Sequence, residues 1–269
     1  MVNDRAFYER FWAQFSGDFA LQLAIHLESR RPLMNLLLRS LPGERPTRFL
    51  EVGCGTALET CLLAQARPEA QAVALDLSLQ AIGVARGSAA EMRSPVHLLA
   101  ADLTALPLPD GAFDLVFSQG VLEHFADPAP AMREQARVLR PGGVLIVDVP
   151  QKFNLYTLRK HRAMRENRWA WGWETEYSVG ELRAWAPRFG LQAVDAVGYQ
   201  HGRIVDRLLI HPHRTLHKKI LRPLGLTKNG AYQLGALARA WESACDWLDE
   251  RLGPYLAINV AVAFRKPCA

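Results

Sequence analysis

Two glycines and two acids, each closing a short apolar run, are the residues whose types and spacing suit chemistry. Gly53 and Gly55, in Glu51-Val52-Gly53-Cys54-Gly55-Thr56-Ala57, follow the run Phe49-Leu50-Glu51-Val52. Lacking a Cβ, they let the backbone turn tightly and approach a ligand closely, at the strand end where open parallel sheets bind ligands. About 20 residues further on, Ala74-Leu75-Asp76-Leu77-Ser78 closes a second run with an acid that can accept hydrogen bonds from both hydroxyls of a ribose. A third run ends in Ala100-Ala101-Asp102-Leu103. Each has a plainer reading: glycine also ends strands for local reasons, and aspartate also caps helices and forms turns. To this point a dinucleotide enzyme fits as well.

The elements that must hold these residues follow from periodicity. From Ala6 to Leu38 the apolar residues fall at helical spacing, with Phe7, Phe11, Trp12 and Phe15 before a Ser16-Gly17-Asp18 break and Leu23, Leu27, Leu33 and Leu37 after it. Apolar runs at 49–52, 72–75, 96–99, 113–117 and 144–147 then alternate with helical patterns near 57–67, 78–92 and 128–139, which predicts βαβ units and a parallel sheet buried on both faces. Beyond Pro150 the chain turns basic and aromatic-rich, then gives a helix over 179–188 and a strand over 191–198. A mostly helical stretch over 201–252 precedes a last alternating run, 257–264, that reads as a strand of the same sheet.

At 269 residues, 49% hydrophobic and 22% charged, the chain can bury a sizeable core, which argues against disorder and fibrous structure. Its start has no apolar run behind a basic cluster, and no stretch of 18 apolar residues follows, so neither a secretion signal nor a spanning helix is expected. Cys54, Cys61, Cys245 and Cys268 show neither CxxC pairs nor a zinc spacing, so free thiols, no metal and a cytoplasmic location are expected. The net charge of +5 allows an anionic partner without locating it.

With Leu106-Pro107-Leu108-Pro109-Asp110-Gly111-Ala112-Phe113-Asp114 before the fourth strand and Arg137-Val138-Leu139-Arg140-Pro141-Gly142-Gly143 before the fifth, the ordered segments over 48–150 resemble the class I S-adenosylmethionine (SAM) dependent methyltransferases. The nearest likeness is to the small-molecule group typified by quinone-biosynthesis enzymes. The resemblance implies an α/β, Rossmann-like seven-stranded sheet with the last strand antiparallel, helices on both faces, and SAM over the ends of strands one to four. The chain is then expected to divide into an N-terminal helical cap (1–47), a SAM-binding core (48–200) with a tryptophan-rich lid segment (151–178), a helical insertion (201–254) that resembles no standard part of the family's core and would serve as an acceptor lid, and the final strand (255–269). Carried over residue by residue, it makes Gly53 and Gly55 backbone contacts to the methionine part of SAM, and Glu51 an indirect orienting group. Asp76 becomes the ribose acid, with Leu77 against adenine, and Asp102 takes the adenine amino group beside the Leu103 amide. Ser118 and Gln119 would lie near the SAM amino group and sulfonium. The family's third motif glycine is Ala57 here.

Methyl transfer from a sulfonium is an in-line displacement in which positioning supplies most of the acceleration, and a base is needed only for an acceptor that must lose a proton. The family often has histidine near the methyl group, which makes His124, in Val121-Leu122-Glu123-His124-Phe125, the first candidate base; Tyr177 and His161 are weaker ones. A loop-stabilising histidine is the alternative. Trp169, Trp171 and Trp173 would shield the acceptor mouth, or else form an extended piece packed on the core. Tyr8 and Trp12, one turn apart, resemble aromatics that close over SAM. The basic, amphipathic stretch 201–228 leaves three roles open: a lid for an anionic acceptor, a peripheral membrane contact, or a face packed on a neighbouring subunit such as a homodimer partner.

The expected function is methyl transfer from SAM to a small molecule, at a hydroxyl of a secondary metabolite, quinone, lipid or glycan precursor. A noncatalytic SAM-binding protein, or an N- or C-methyltransferase including one acting on RNA or protein, is the alternative. A dehydrogenase is disfavoured by the incomplete GxGxxG, DNA is not an expected partner because Ser118-Gln119-Gly120 stands where base methylases carry an Asn/Asp-Pro-Pro motif, and the scattered cysteines do not suit arsenic chemistry.

Overall fold

The computed structural model describes residues 4–14, 19, 23, 29–43, 47–170, 172–200 and 251–268. Phe15, Leu27, Trp171, Cys245 and the whole basic stretch 201–228 therefore lie outside the described residues, as does most of the expected insertion.

Seven strands form one sheet in the order β3-β2-β1-β4-β5-β7-β6. They are β1 (Arg48–Val52), β2 (Gln71–Asp76), β3 (Val96–Ala100), β4 (Phe113–Gln119), β5 (Leu139–Pro150), β6 (Gln192–Tyr199) and β7 (Asn259–Arg265). β1 to β5 pair in parallel, and β7 runs antiparallel between β5 and β6, as expected. The strand order reverses between β1 and β4, so the chain leaves these neighbours in opposite directions and opens a crevice at their carboxyl ends.

Alternation decides what each face buries. Leu50, Val116, Leu145, Val147 and Val262 point into one core, while Phe49, Leu115, Phe117, Ile146 and Ala261 point into the other. Each core is closed by helices. The described helices are α1 (Arg5–Ala13), α2 (Arg31–Ser40), α3 (Leu58–Ala66), α4 (Leu79–Glu91), α5 (Ala129–Val138), α6 (Leu155–Arg165) and α7 (Val179–Trp185), with a helical turn at 251–256. α2 packs Leu33, Leu36 and Leu37 on the second core, and its Arg39 pairs with Asp195 of β6 at 2.6 Å. Of the expected N-terminal cap, this helix is thus part of the sheet packing.

Several starts are written in local capping chemistry. Asp4 accepts from the Phe7 amide at the head of α1, Ser78 from Ala81 at α4, Asn154 from Thr157 at α6, and Ser178 with Glu181 forms a reciprocal capping box at α7. The helix expected over 179–188 ends at Trp185 and continues as a 3₁₀ turn over Ala186–Phe189, because Pro187 has no N–H to donate. β5 begins earlier than expected: Leu139 already pairs with Phe113, and the register shifts before Leu115 meets Val144. The Asp-Gly-Ala-Phe-Asp and Arg-Pro-Gly-Gly segments serve this junction. Asp114 accepts from the Arg48 amide and pairs with Arg140, while Arg137 joins Asp110, Glu134 and the carbonyls of Leu106 and Leu108. Among the described residues no helix is long and apolar enough to cross a membrane, and no cluster of His, Cys, Asp and Glu is suited to a metal.

Candidate active site

The ends of β1 to β4 and the helix α1 enclose a cavity of about 280 Å³. Gly53, Asp76, Leu77, Asp102, Leu103 and His124, all marked out in the sequence, contribute to its wall.

The glycine turn is shaped by two contacts that admit no side chain. Gly53 has φ +69°, and a Cβ there would lie 2.4 Å from Val121 Cγ2; Gly55 has φ +49°, and a Cβ would lie 2.7 Å from the Trp12 ring. Ala57, where the family has glycine, takes φ +53° at the head of α3 and carries the strain of a left-handed residue with a Cβ. The turn is tied to the next strand by Asp76: its Oδ2 accepts from the Gly55 amide at 3.0 Å and its Oδ1 from the Ser78 amide at 2.9 Å. Burial pushes the Asp76 carboxyl up, and the backbone N–H groups oppose that by stabilising the charged form. Asp102 also forms a local turn, its Oδ1 accepting from the Thr104 amide and hydroxyl, both at 2.8 Å.

His124 closes the far wall from the 3₁₀ turn Leu122–His124 after β4. Its Nδ1 lies 2.9 Å from the Trp173 carbonyl oxygen, which can only accept, so Nδ1 carries the hydrogen and the neutral ring keeps Nε2 as its proton acceptor. Burial lowers the pKa of His124 and favours that neutral form. The carbonyl that fixes the ring belongs to an extended piece laid along the strand ends: the Thr175 amide donates to the Glu123 carbonyl, and the Tyr177 amide to that of Pro150. Lys160 of α6, almost wholly buried, clamps this piece through Glu174 at 2.7 Å and Glu176 at 2.6 Å. Burial works against the ammonium, but the two carboxylates outweigh it and hold its pKa above the ordinary lysine value.

Residues 50–147, which supply most of this wall, match the family model for a methyltransferase domain. They form a class I, SAM-dependent methyltransferase domain. The chain is 35% identical over 160 residues to a malonyl-[acyl-carrier protein] O-methyltransferase of Dechloromonas aromatica, covering 59% of this chain and 57% of that protein. It is 36% identical over 127 residues to a demethylmenaquinone methyltransferase of Thermus thermophilus, covering 47% and 56%. The chain thus spans about half the length of the curated relatives it matches. Among solved structures, a phosphoethanolamine N-methyltransferase of Haemonchus contortus, in complex with phosphomonomethylethanolamine and S-adenosylhomocysteine (SAH), shares the fold. The TM-score is 0.61 and the identity 18%, over 99% of this chain and 61% of the other.

Other expected site residues of the methyltransferase domain sit behind the wall. Glu51 is buried, accepts from the Thr60 hydroxyl at 2.5 Å, and is pushed well above the carboxylate range by burial. Ser118 is buried, and the Gln119 amide donates to the Tyr199 hydroxyl at 2.9 Å. Tyr177 packs edge-on against Trp185, 4.8 Å between ring centres, with its phenol pushed up to about 12 by burial. His161 meets Glu176 at 2.9 Å. Neither Tyr177 nor His161 is among the described cavity residues. Of the tryptophan segment, Trp169 lies edge-on to Tyr156 with its ring under the Lys160 ammonium, and Trp173 presents its carbonyl to His124.

Sequence reasoning missed Asp148 and Tyr199, which meet across β5 and β6 when the Tyr199 hydroxyl donates to Asp148 Oδ2. An acid inside an apolar strand was the available signal. Burial raises the Asp148 pKa from 3.8 to about 7. Within that window the folded chain holds a proton that the unfolded chain has released, so stability falls as pH rises through it. Asp148→Asn should therefore stabilise the protein by roughly 1–3 kcal/mol above neutrality, the gain shrinking towards pH 3.8. Urea midpoints at the two ends of the window would show this, and an equal gain at both would refute it.

Proposed function

We propose that the protein transfers the methyl group of SAM to a hydroxyl of a small-molecule acceptor. The observation that carries this reading is the convergence of the β1 to β4 ends on one cavity, with the glycine turn, Asp76 and Asp102 on one side and His124 on the other. The wall suits SAM. Gly53 leaves backbone open to its methionine part with Gly55 bracing the turn behind it, the Asp76 carboxylate has lone pairs beyond the Gly55 and Ser78 bonds for two ribose hydroxyls, and Leu77 and Leu103 offer apolar surface for adenine beside Asp102. SAM supplies an electrophilic methyl group on a sulfonium. His124, neutral and with Nδ1–H fixed on Trp173, would take the acceptor's proton at Nε2. Aromatic residues of α1 exclude water from the same space. A small acceptor is supported by the likeness to proteins named demethylmenaquinone methyltransferase and trans-aconitate 2-methyltransferase, and oxygen by one named malonyl-[acyl-carrier protein] O-methyltransferase.

Methyl-labelled SAM incubated with a panel of hydroxyl, carboxyl and amine acceptors tests the reading. Label transferred to oxygen is the expected result. Transfer to nitrogen or carbon alone would overturn the hydroxyl assignment, and absence of SAH binding by calorimetry would overturn the cavity assignment.

A further inference from the structure

The structure assigns Glu9 the role of a positioning residue that latches α1 over the cavity and so sets the rate at which cofactor enters and leaves. This rests on the reading of the cavity as the SAM site. α1 is nine residues long and has no fully buried residue, so helix propensity alone does not hold it in place. Yet Phe7, Tyr8, Phe11 and Trp12 all line the cavity, Trp12 lies against the glycine turn, and the Tyr8 ring meets that of His124 edge-on at 5.8 Å. Something specific must anchor the helix.

Glu9 supplies that anchor. Its carboxylate accepts from the Ser78 hydroxyl at 2.9 Å, the Leu79 amide at 2.9 Å and the Gln80 amide at 3.2 Å. Those amides open α4, where backbone N–H groups have no intrahelical partner and the helix dipole favours a negative charge. The latch also abuts the ribose acid, because the Ser78 amide that donates to Asp76 and the Ser78 hydroxyl that donates to Glu9 belong to one residue. Closure of α1 and the geometry of the cofactor wall are thereby joined. Opening needs three hydrogen bonds on one carboxylate to part, together with the contacts of Trp12 on the glycine turn and of Tyr8 on His124.

Surface plasmon resonance of SAH over the immobilised full chain reads the proposal as a dissociation rate. Glu9→Ala should raise that rate about tenfold with the ligand-free Tm unchanged. Glu9→Gln, whose single amide oxygen can keep either the Leu79 bond or the Ser78 and Gln80 bonds but not all three, should give a rate between those of Glu9→Ala and the parent. A rise of less than about threefold in Glu9→Ala, no rescue by glutamine, or a rate change matched by a fall in ligand-free Tm would each overturn the latch. Asp76→Ala run alongside separates the two readings: unchanged SAH affinity there removes the cofactor from the cavity, whereas lowered affinity with a normal rate in Glu9→Ala removes only the latch.

Discussion

Asp76→Ala should weaken SAH and SAM binding about 10- to 150-fold, corresponding to about 1.5–3 kcal/mol. The change would remove the acceptor proposed for two ribose hydroxyls, and it strands the Gly55 and Ser78 amides, each of which holds one of its oxygens. Both consequences act on the cofactor wall, because Gly55 belongs to the turn that faces the ligand and Ser78 caps α4. Asp76→Asn separates them: its amide oxygen can keep one backbone bond, but its NH₂ must face the other N–H, donor against donor. Its affinity should fall between parent and alanine. Calorimetry with SAH measures both, and parental affinity in Asp76→Ala would take Asp76 out of the site.

His124→Ala should lower kcat for a hydroxyl acceptor about 100- to 10,000-fold while SAM affinity stays near the parental value. The separation is expected because the residues proposed to hold the cofactor stand at the β1 to β3 ends, whereas His124 enters from the turn after β4. The pH profile gives a second readout. A base must be neutral to accept a proton, and the folded pKa of His124 lies below 6.5, so kcat should stay flat down through that value and fall only in more acid solution. Parallel losses of kcat and SAM affinity in His124→Ala would show that the ring only braces the turn beside Trp173.

Asp148 and Glu123 add a feature that bears on both predictions. Glu123 is fully enclosed next to His124, and burial holds its pKa well above the ordinary carboxylate value. Asp148, two strands into the sheet, is raised by the same cause. Both buried acids therefore hold their protons to higher pH than an exposed carboxylate does. Lys160 stands beyond Glu174, and its positive charge adds to the depression of the His124 pKa.

The sequence by itself determined the elements and their order. Short apolar runs, with alternation in the last, marked six of the strands close to their observed limits and the fifth in its middle, helical spacing marked α3, α4 and α5, and the glycine turn with its two acids marked the crevice side of the sheet. These signals are local, since alternation, capping and turn formation depend on residues a few positions apart. Only the tertiary structure decided which groups face one another. Glu9 reaches Ser78, Leu79 and Gln80 from about seventy positions away, Trp12 covers Gly55, Trp173 fixes the tautomer of His124, and Tyr199 meets Asp148. It also set Gln119 on Tyr199 and Tyr177 against Trp185, behind the cavity that their places after β4 and β5 had suggested for them. A buried polar group takes whichever partner the packed elements bring within about 3 Å, and that choice is made by the crossing of distant segments, for which neighbouring residues carry no signal.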